Sequence, residues 1–360
     1  MSLKDRLKAE IRAGGPIPIT RFMNACLHDP ADGYYATRPR LGEDGDFITA
    51  PLISQMFGEL LGAWAVETWR GLGRPKRVLL VEAGPGDGTL ISDALRAARL
   101  DPAFLAAAEL WLIETSAPLI ALQSDRLKNA ALTPNWAAGL DELPGEAPII
   151  LIANELLDCL PAQQLVRTEG GTAERVVGLD EAGELCFGLV PRPDSLLSTG
   201  RPIGAIVEIS TAQIDFGIEL ANHIVGHGGA ALLIDYGRDR LETGDTLQAL
   251  YRHQKVDPLA DPGGADMTMH ADFVLVLGAA QRRGAATAIL DQGEFLRRLG
   301  IVERAAALSR ARPDQAETIA RQVARLIDAD QMGTLFKAAC LFAPALAPPP
   351  GFEGQLEGLS

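Results

Sequence analysis

The stretch that most constrains the fold runs from Arg77 to Leu95 and reads RVLLVEAGPGDGTLISDAL. Its first half is a short apolar run typical of a buried strand, and its second half has the spacing of an amphipathic helix. The turn between them carries Gly84, Gly86 and Gly88. Glycines permit positive φ and let a ligand approach the backbone closely. A strand, a tight turn and a helix in this order predict one unit of an open α/β sheet, with a ligand at the turn.

Strand and helix patterns continue to alternate beyond this unit. Further strand candidates are AELWLIET, APIILIANE, GGAALLIDYG, GAATAILDQ and MGTLFKAACLFAP. Short apolar strands between helices predict a parallel sheet covered on both faces. Residues 161–204 break the pattern, because QQLVRTEGGTAERVVGLDEAGELCFGLVP contains three strand-like runs separated by turns. This segment predicts an inserted β-meander.

The remaining segments flank this α/β core, which takes residues 76–160 and 205–345. Residues 1–75 read as helices and irregular loops, with one helix in LISQMFGELLGAWAVETWRGLG. We expect them to form an N-terminal helical and loop extension over the active site. Residues 346–360 are expected to be a loose C-terminal tail.

The acids near the glycine turn indicate its ligand. The glycines follow G-x-G-x-G rather than the G-x-G-x-x-G of dinucleotide sites, and Glu82 lies two residues before the first of them. A carboxylate there is a poor neighbour for pyrophosphate but a good one for an ammonium or sulfonium cation. Glu114 ends the second strand, where it can accept hydrogen bonds from ribose hydroxyls. We therefore predict S-adenosyl-L-methionine as cofactor; a nicotinamide cofactor and a purely structural turn are the alternatives.

Polar side chains also follow the third strongly apolar strand, in ANELLDCLP. Asp158 comes three residues after Glu155, so on a helical turn the two acids share a face. Carboxylates in this position suit an arginine acceptor, because they can hold the guanidinium fork and localise its charge. Asn154 is expected to orient the acceptor or the cofactor. The alternative is a helix N-terminus, capped by Asn154 with the acids complementing the helix dipole.

Three residues of the Gly-, Pro- and Asp-rich N-terminal loop, Asp46, Thr49 and Ser54, are candidate cofactor or substrate contacts. Ordinary turn chemistry is the alternative for them. Trp136 is expected either near the adenine or in the core. We predict no metal site, because the spacing of the scattered His and Asp residues matches no compact ligand motif; these residues are His253, Asp257, Asp266, His270 and Asp272.

Charge and composition exclude several classes of protein. The net charge of −14 repels phosphate backbones, so we expect no nucleic-acid partner. The 4 cysteines lie far apart without a C-x-x-C pair, which predicts reduced thiols. We expect no stable membrane insertion, because no run approaches the roughly 18 apolar residues of a spanning helix. The N-terminus shows no signal peptide, so a cytoplasmic location is expected, or the mitochondrial matrix if a targeting segment is missing.

Further motifs, spread over about residues 16 to 345, make a resemblance specific. In chain order they are GYY, GDFITAPLISQMFGE, VEAGPGDGTL, ANELLDCLPAQQ, IDYG, TLQALYRHQ and ADMTMHADF. Together they resemble the MidA-like family of S-adenosylmethionine-dependent methyltransferases, which includes the mitochondrial complex I assembly-factor protein arginine methyltransferase. One departure is Leu156-Leu157, where aromatic residues are common in the family.

The resemblance implies a class I (Rossmann-like) methyltransferase fold. It also implies symmetric dimethylation of an arginine in the 49 kDa-type subunit of respiratory complex I, supporting assembly of that complex. From the residues, two other functions stay open: a methyltransferase acting on a small molecule or another side chain, and a non-catalytic assembly factor that binds S-adenosylmethionine. The intact glycines and Glu114 favour an enzyme over the last of these.

Overall fold

The structure is a computed structural model that describes residues 1–37, 49–193 and 200–355. In these residues the strands are β1 (Ile17–Pro18), β2 (Val78–Ala83), β3 (Ala108–Ile113), β4 (Pro134–Ala137), β5 (Ile149–Asn154), β6 (Gln163–Thr168), β7 (Gly171–Leu179), β8 (Leu185–Arg192), β9 (Ile206–Ile209), β10 (Gly229–Arg238), β11 (Gln248–Tyr251), β12 (Gln254–Val256), β13 (Asp266–Thr268), β14 (Ala271–Asp272), β15 (Ala286–Asp291) and β16 (Phe336–Phe342). The α-helices are α1 (Leu3–Gly14), α2 (Ile19–His28), α3 (Tyr34–Thr37), α4 (Ala50–Ile53), α5 (Gln55–Gly71), α6 (Thr89–Ala98), α7 (Pro102–Ala107), α8 (Ala117–Leu127), α9 (Thr211–His227), α10 (Phe273–Arg282), α11 (Gln292–Arg298), α12 (Ile301–Ala311), α13 (Ala316–Ile327) and α14 (Met332–Leu335). Short 3₁₀ turns occupy Leu140–Glu142 and Pro313–Gln315.

The chain forms two compact units, each assembled from three stretches of sequence. The sheet unit, which contains the glycine turn, consists of Ile48–Leu156, Asp215–Asp239 and Phe273–Ser360. The meander unit consists of Met1–Phe47, Leu157–Ile214 and Arg240–Asp272. The division into extension, core, insertion and tail, made above from the sequence, stays a prediction.

The sheet unit is built on strands in the order β15-β16-β10-β5-β2-β3-β4. From β10 to β4 neighbouring strands are parallel. Every residue of β2 and β5 is buried, as expected for strands covered on both faces. The predicted α/β, Rossmann-like sheet is therefore confirmed.

One strand departs from the parallel sheet that the sequence predicts. β16 runs antiparallel to both β10 and β15. Asp291 ends β15 and is paired with Lys337, near the start of β16, and Lys337 Nζ lies 2.5 Å from Asp291 Oδ1. The chain therefore leaves β15 and enters β16 at the same end of the sheet, so β16 runs in the direction opposite to β15.

The meander unit contains the predicted β-meander. β6 pairs with β7 and β7 with β8, both antiparallel, which confirms the three-stranded pattern. Two short strands that the sequence did not indicate extend it, because β1 pairs with β7 and β9 pairs with β6. Runs of two and four residues are too short for alternation to be recognised in a sequence.

Helix α5 supports α6, the helix that follows the glycine turn, through two close contacts. A Cβ placed on Gly62 would lie 2.3 Å from the backbone oxygen of Ala94, and one on Gly58 would lie 2.6 Å from Cβ of Asp93. Real Cβ atoms do not approach other atoms so closely, so only glycine permits this separation of the helices. The close packing of α5 determines where α6 lies.

Candidate functional site

The glycine turn lies where the strand order reverses. The chain passes from β2 to β3 and β4 on one side, and then returns to β5 on the other side of β2. Loops after β2 and β5 diverge at such a point and leave a crevice at the carboxyl ends of the strands, which is the usual ligand site of open α/β sheets. Residues that follow β2, β3 and β5 are therefore the first candidates for a functional site.

All three glycines of the turn adopt left-handed backbone. The φ angle is 68° at Gly84, 54° at Gly86 and 80° at Gly88, a region that other residues enter only at a cost. A Cβ on Gly84 would also lie 3.0 Å from Cδ1 of Leu156. Gly88 directly precedes α6, so the turn leads straight into the helix. The glycine spacing is thus a backbone requirement, and binding of the cofactor by these residues stays a prediction.

Glu82, the predicted acid before the turn, is 3% exposed. Its carboxyl group accepts a hydrogen bond from the backbone N–H of Ile91, while Oε2 has no hydrogen-bond partner among the described residues. Burial, and then the nearby charge of Asp87, raise the pKa of Glu82 to about 8. A buried acid with an incomplete set of partners is costly, and a neighbouring cation would offset that cost.

Glu114 follows β3, and its carboxylate is held by the backbone after it. Oε1 accepts hydrogen bonds from the N–H groups of Thr115 at 2.8 Å and Ser116 at 2.7 Å. Burial raises the pKa of Glu114, while these N–H donors and Gln123 act in the opposite direction. The second predicted acid therefore has a fixed orientation at the end of the strand next to the glycine turn.

Gln123 of α8 contacts two of the predicted site residues, although the sequence did not indicate it. It is fully buried, and its Nε2 donates hydrogen bonds to the backbone oxygen of Gly86 and to Glu114 Oε2. Trp136, expected near the adenine or in the core, is half-buried and donates its indole N–H to Gln123 Oε1 at 2.8 Å. One signal was available, because Gln123 lies between Leu119 and Leu127 on the buried face of its helix.

Arg126, which like Gln123 belongs to α8, also binds the glycine turn. Its Nε donates to the backbone oxygen of Asp87 at 2.8 Å, and its Nη2 donates to Asp87 Oδ2 at 2.6 Å. Asp87 Oδ1 accepts the N–H of Thr89 at 3.0 Å, at the first residue of α6. These contacts hold the middle of the turn independently of the glycines.

The end of β5 carries a strained residue. Glu155 has φ of 53°, and such a conformation costs a non-glycine residue on the order of 1 kcal/mol or more. Its Oε1 accepts hydrogen bonds from Asn154 Nδ2 at 2.9 Å and from the N–H of Ala50 at 3.3 Å. Asn154 is 8% exposed, and its Oδ1 lacks a partner among the described residues. Two of the predicted site residues are thus joined at the switch point of the sheet.

Asp158, the third predicted catalytic residue, belongs to the meander unit. Residues 155–160 form bends and turns rather than a helix, so the helical face predicted for Glu155 and Asp158, and the alternative of a capped helix, are both wrong. The left-handed backbone at Glu155 explains the difference, together with the proline at 161, which disfavours helical backbone in the residue before it. The catalytic role of the two acids stays a prediction.

Gln213 and Met269 hold the Asp158 turn within the meander unit. Gln213 Nε2 donates to the backbone oxygen of Leu157 at 2.8 Å, and its Oε1 accepts the N–H of Asp272 at 2.9 Å. The N–H of Met269 donates to the backbone oxygen of Asp158 at 2.9 Å. These bonds join ANELLDCLPAQQ to ADMTMHADF, two of the motifs that carry the family resemblance.

Tyr35 brings a third motif, GYY, to the same region. Burial, and then the neighbouring Asp266, Cys159 and Asp158, raise the pKa of the Tyr35 phenol well above its usual value. The ring stacks on His28 with centroids 5.6 Å apart. In the sequence this motif carries only the family resemblance, because nothing in its spacing indicates these partners.

The predicted contacts of the N-terminal loop have different outcomes. Asp46 lies outside the described residues. Thr49 precedes α4 without a side-chain capping bond. Ser54 is 5% exposed and caps α5, because its Oγ accepts the N–H of Met56 at 3.3 Å; it also separates α4 from α5, where one helix was predicted. A cofactor role for Thr49 and Ser54 stays a prediction.

Two of the scattered His and Asp residues considered as metal ligands have contacts or backbone angles typical of turns. His253 lies in the β11–β12 turn with φ of 61°, and Asp257 accepts the N–H of Leu259 at 3.0 Å. Within residues 1–37, 49–193 and 200–355, no group of three or more His, Cys, Asp or Glu side chains is arranged to hold a metal ion. In the same ranges, no helix has the length and apolar content needed to cross a membrane.

The residues present fit S-adenosyl-L-methionine. Glu82 Oε2 and Asn154 Oδ1 are buried acceptors without partners in the described chain, and a carboxylate or amide oxygen suits the ammonium or sulfonium cation of this molecule. Glu114 presents a fixed carboxylate for ribose hydroxyls. Glu82, the glycine turn and Glu114 would hold the cofactor, which supplies an electrophilic methyl group when bound.

A class I S-adenosyl-L-methionine-dependent methyltransferase is the class that this sheet and this site define. Residues 60–290 match the family described as S-adenosyl-L-methionine-dependent methyltransferases. The crystal structure of a COG1565 superfamily member from Burkholderia thailandensis, bound to S-adenosyl-homocysteine, is similar with a TM-score of 0.82. The similarity covers 98% of this chain and 93% of that chain at 27% sequence identity.

Two mitochondrial relatives are similar to this chain over most of their length. The protein named protein arginine methyltransferase NDUFAF7 homolog, mitochondrial, from Drosophila melanogaster is 35% identical over 96% of this chain and 86% of its own. Protein arginine methyltransferase NDUFAF7, mitochondrial, from Homo sapiens is 33% identical over 82% of this chain and 72% of its own. The chain belongs to the MidA-like family of S-adenosylmethionine-dependent methyltransferases.

Proposed function

We propose that this methyltransferase is a protein arginine N-methyltransferase. The observation that carries the proposal is the match, over nearly the whole chain, to mitochondrial relatives named protein arginine methyltransferases. The two acids after β5 support it, because a cationic acceptor calls for carboxylates near the reacting atoms.

The chemistry of arginine explains what those acids would do. A guanidinium is a poor nucleophile, because its lone pairs are delocalised and its pKa exceeds about 12. A carboxylate that binds the fork localises the positive charge on the nitrogens that are not attacked. We assign this role to Glu155 and Asp158, with Asn154 orienting the acceptor or the cofactor. The attacking nitrogen would form its bond to the methyl carbon as the bond from that carbon to the sulfonium sulfur breaks, which releases S-adenosylhomocysteine. One of the carboxylates would take the proton that the nitrogen loses.

The burial of Asp158 supports a cationic acceptor. The side chain is 6% exposed, and both Asp158 and Asp266 lie close enough to Tyr35 to raise the pKa of its phenol. Two acids beside a tyrosine that keeps its proton make this region electronegative, and such a region attracts a cation. A positively charged arginine side chain is the acceptor that best matches this field.

We extend the proposal to the product and the substrate. The product is symmetric dimethylarginine, and the substrate is the 49 kDa-type subunit of respiratory complex I, whose assembly the modification supports. Support comes from the MidA-like resemblance, since that family includes the mitochondrial complex I assembly-factor enzyme. The compartment follows the substrate: the cytoplasm of a bacterial cell, or the mitochondrial matrix.

The test is transfer of an isotopically labelled methyl group from S-adenosylmethionine to the purified complex I subunit, followed by mass-spectrometric mapping. We expect label on a single arginine, with fragmentation that distinguishes the symmetric product. The control is the same subunit with that arginine replaced by lysine, which should accept no label. Label on a small molecule or on another side chain would contradict the proposal. Cofactor binding without any transfer would instead indicate a non-catalytic assembly factor.

A further inference from the structure

The side-chain amide of Gln123 joins three separate parts of the sheet unit. Its Nε2 lies 2.8 Å from the backbone oxygen of Gly86 in the glycine turn and 3.2 Å from Glu114 Oε2 after β3. Its Oε1 accepts the indole N–H of Trp136, in β4, at 2.8 Å. Gln123 is fully buried, which limits the access of water to its amide. A single side chain therefore connects the ends of three neighbouring strands.

The partners require an amide at this position. A backbone oxygen and a carboxylate oxygen are acceptors only, and an indole N–H is a donor only. Only one orientation of the glutamine amide satisfies all three, because its NH₂ has to face the two acceptors. A glutamate here would place negative charge against both acceptors, and an apolar residue would remove a hydrogen bond from three partly buried groups. The residue type is thus determined by the polar atoms around it.

Gln123 acts on the carboxylate that is expected to bind the ribose. Glu114 Oε1 already accepts two backbone N–H groups. Its remaining acceptor capacity lies largely on Oε2, the oxygen that Gln123 holds. Without this bond the two backbone N–H groups would hold only Oε1, and Oε2 could change its direction about the last torsion, which is broad for an sp² group. The direction in which Oε2 meets a ligand therefore depends on Gln123.

We propose that Gln123 is a positioning residue of the cofactor site, which sets Glu114 Oε2 for the ribose hydroxyls and fixes Gly86 at the same time. The proposal rests on Glu114 as the ribose ligand. It assigns a cofactor-binding role to a helix whose sequence shows no binding motif. Trp136 takes part by holding the amide in the one orientation that serves both acceptors.

The test is a double-mutant cycle measured by calorimetry with S-adenosylhomocysteine. Gln123→Met keeps the length and volume of the side chain but removes all three hydrogen bonds. In the wild-type background we expect it to weaken binding by about tenfold, corresponding to loss of an oriented contact worth about 1.4 kcal/mol. In a Glu114→Ala background the same replacement should change binding by less than about threefold, because there is no carboxylate left to position. Ser124→Ala, on the exposed face of α8, is the control and should bind like the wild type.

Each result of the binding measurements either supports or overturns the role of Gln123. Equal losses in the two backgrounds would show a general structural role and overturn the proposal, as would unchanged binding by Gln123→Met. If Glu114→Ala alone binds like the wild type, then Glu114 is not the ribose ligand and the proposal fails with that assignment, while the methyltransferase activity stands. If Gln123→Met does not fold, Trp136→Phe provides the same test, because it removes the indole N–H that holds the amide and keeps an aromatic ring at this position. A loss of binding by Trp136→Phe that disappears without Glu114 supports the proposal, and a loss that persists overturns it.

Discussion

Glu82 shows how a single residue links stability to binding. Burial raises its folded pKa from 4.5 to about 8, so between these values the folded protein binds more protons than the unfolded chain. The contribution to stability is therefore fully present below about pH 4.5 and is lost as the pH rises through about 8. At neutral pH and above, the ligand-free protein carries a carboxyl group whose ionisation favours unfolding.

The first prediction at this scale concerns Glu82→Gln in the ligand-free protein. Because the variant cannot ionise, its free energy of unfolding should increase relative to the wild type as the pH rises, by an amount on the order of a few kcal/mol. The difference should level off above about pH 8. Denaturant titrations of both proteins across this range measure it. Parallel pH profiles would mean that burial does not shift the pKa of this carboxyl group.

The same substitution should have the opposite effect on binding. A bound cation favours the ionised form of Glu82, so wild-type affinity for S-adenosylmethionine should rise as the pH approaches 8. In Glu82→Gln the affinity should be lower and nearly independent of pH. Calorimetry of both proteins at several pH values measures this. An unchanged affinity in the variant would place the cationic end of the ligand elsewhere.

Residues differ in how well local sequence reveals them. The positions of the glycines, Glu82 and Glu114 at the ends of strands could be predicted, because they follow from a short local spacing; their roles in binding stay predictions. Gln123 and Tyr35 could not be predicted, because their partners come from segments distant in the chain. A buried polar residue on an apolar helix face is a signal, but it does not identify the groups that it will meet.

At the scale of elements, the contact between α5 and α6 decides where the glycine turn lies. We predict that Gly62→Ala destabilises the protein by about 1–3 kcal/mol, because its Cβ would lie 2.3 Å from the backbone oxygen of Ala94 and the helices must move apart. The shift should also weaken binding of S-adenosylhomocysteine, since α6 begins directly after Gly88. Denaturant titration and calorimetry measure the two effects.

The matched control is Gly71→Ala, at the exposed end of the same helix. A Cβ there would meet only Cδ1 of Leu346, at an ordinary 3.5 Å. Alanine is favoured over glycine in helices by up to about 1 kcal/mol, so this variant should be neutral or slightly more stable. If Gly62→Ala behaved in the same way, the two helices would not be in close contact in solution.

Elements could be predicted where the pattern is local. The apolar runs of β2 and β5 and the three runs of the meander were sufficient to identify strands. The direction of β16 could not be predicted, because it depends on the point at which the four α-helices between β15 and β16 bring the chain back to the sheet. The turn after Asn154 was read as helical because its acids have helical spacing, whereas the positive φ of Glu155 prevents a helix. Spacing alone does not reveal such a conformation.

The molecule as a whole is assembled from interleaved stretches. Each unit takes three segments of the chain, and the chain leaves the sheet unit between Leu156 and Leu157. A sequence-based division follows changes in pattern along the chain, so it does not reveal which distant stretches pack together. The predicted catalytic acids lie on the two sides of this boundary, with Glu155 in the sheet unit and Asp158 in the meander unit.

This division leads to a prediction that separates binding from transfer. The residues expected to bind the cofactor, Glu82 and Glu114, both belong to the sheet unit, and the carboxylate of Glu114 is held by backbone N–H groups and by Gln123. Glu155→Gln and Asp158→Asn should therefore bind S-adenosylhomocysteine like the wild type. Both changes are nearly isosteric, and the amide oxygen introduced by Glu155→Gln would still accept the N–H of Ala50, so packing should change little.

Methyl transfer, by contrast, should fall in both variants. Each substitution removes a charge that would hold the guanidinium, and a charge-assisted hydrogen bond is worth about 1.5–3 kcal/mol, or roughly tenfold to a hundredfold in rate. The measurement is the single-turnover rate of labelled methyl transfer to the acceptor protein, alongside calorimetry on the same preparations. Full activity in both variants would remove the acids from the mechanism. Equal losses of binding and transfer would show that they serve the cofactor rather than the acceptor.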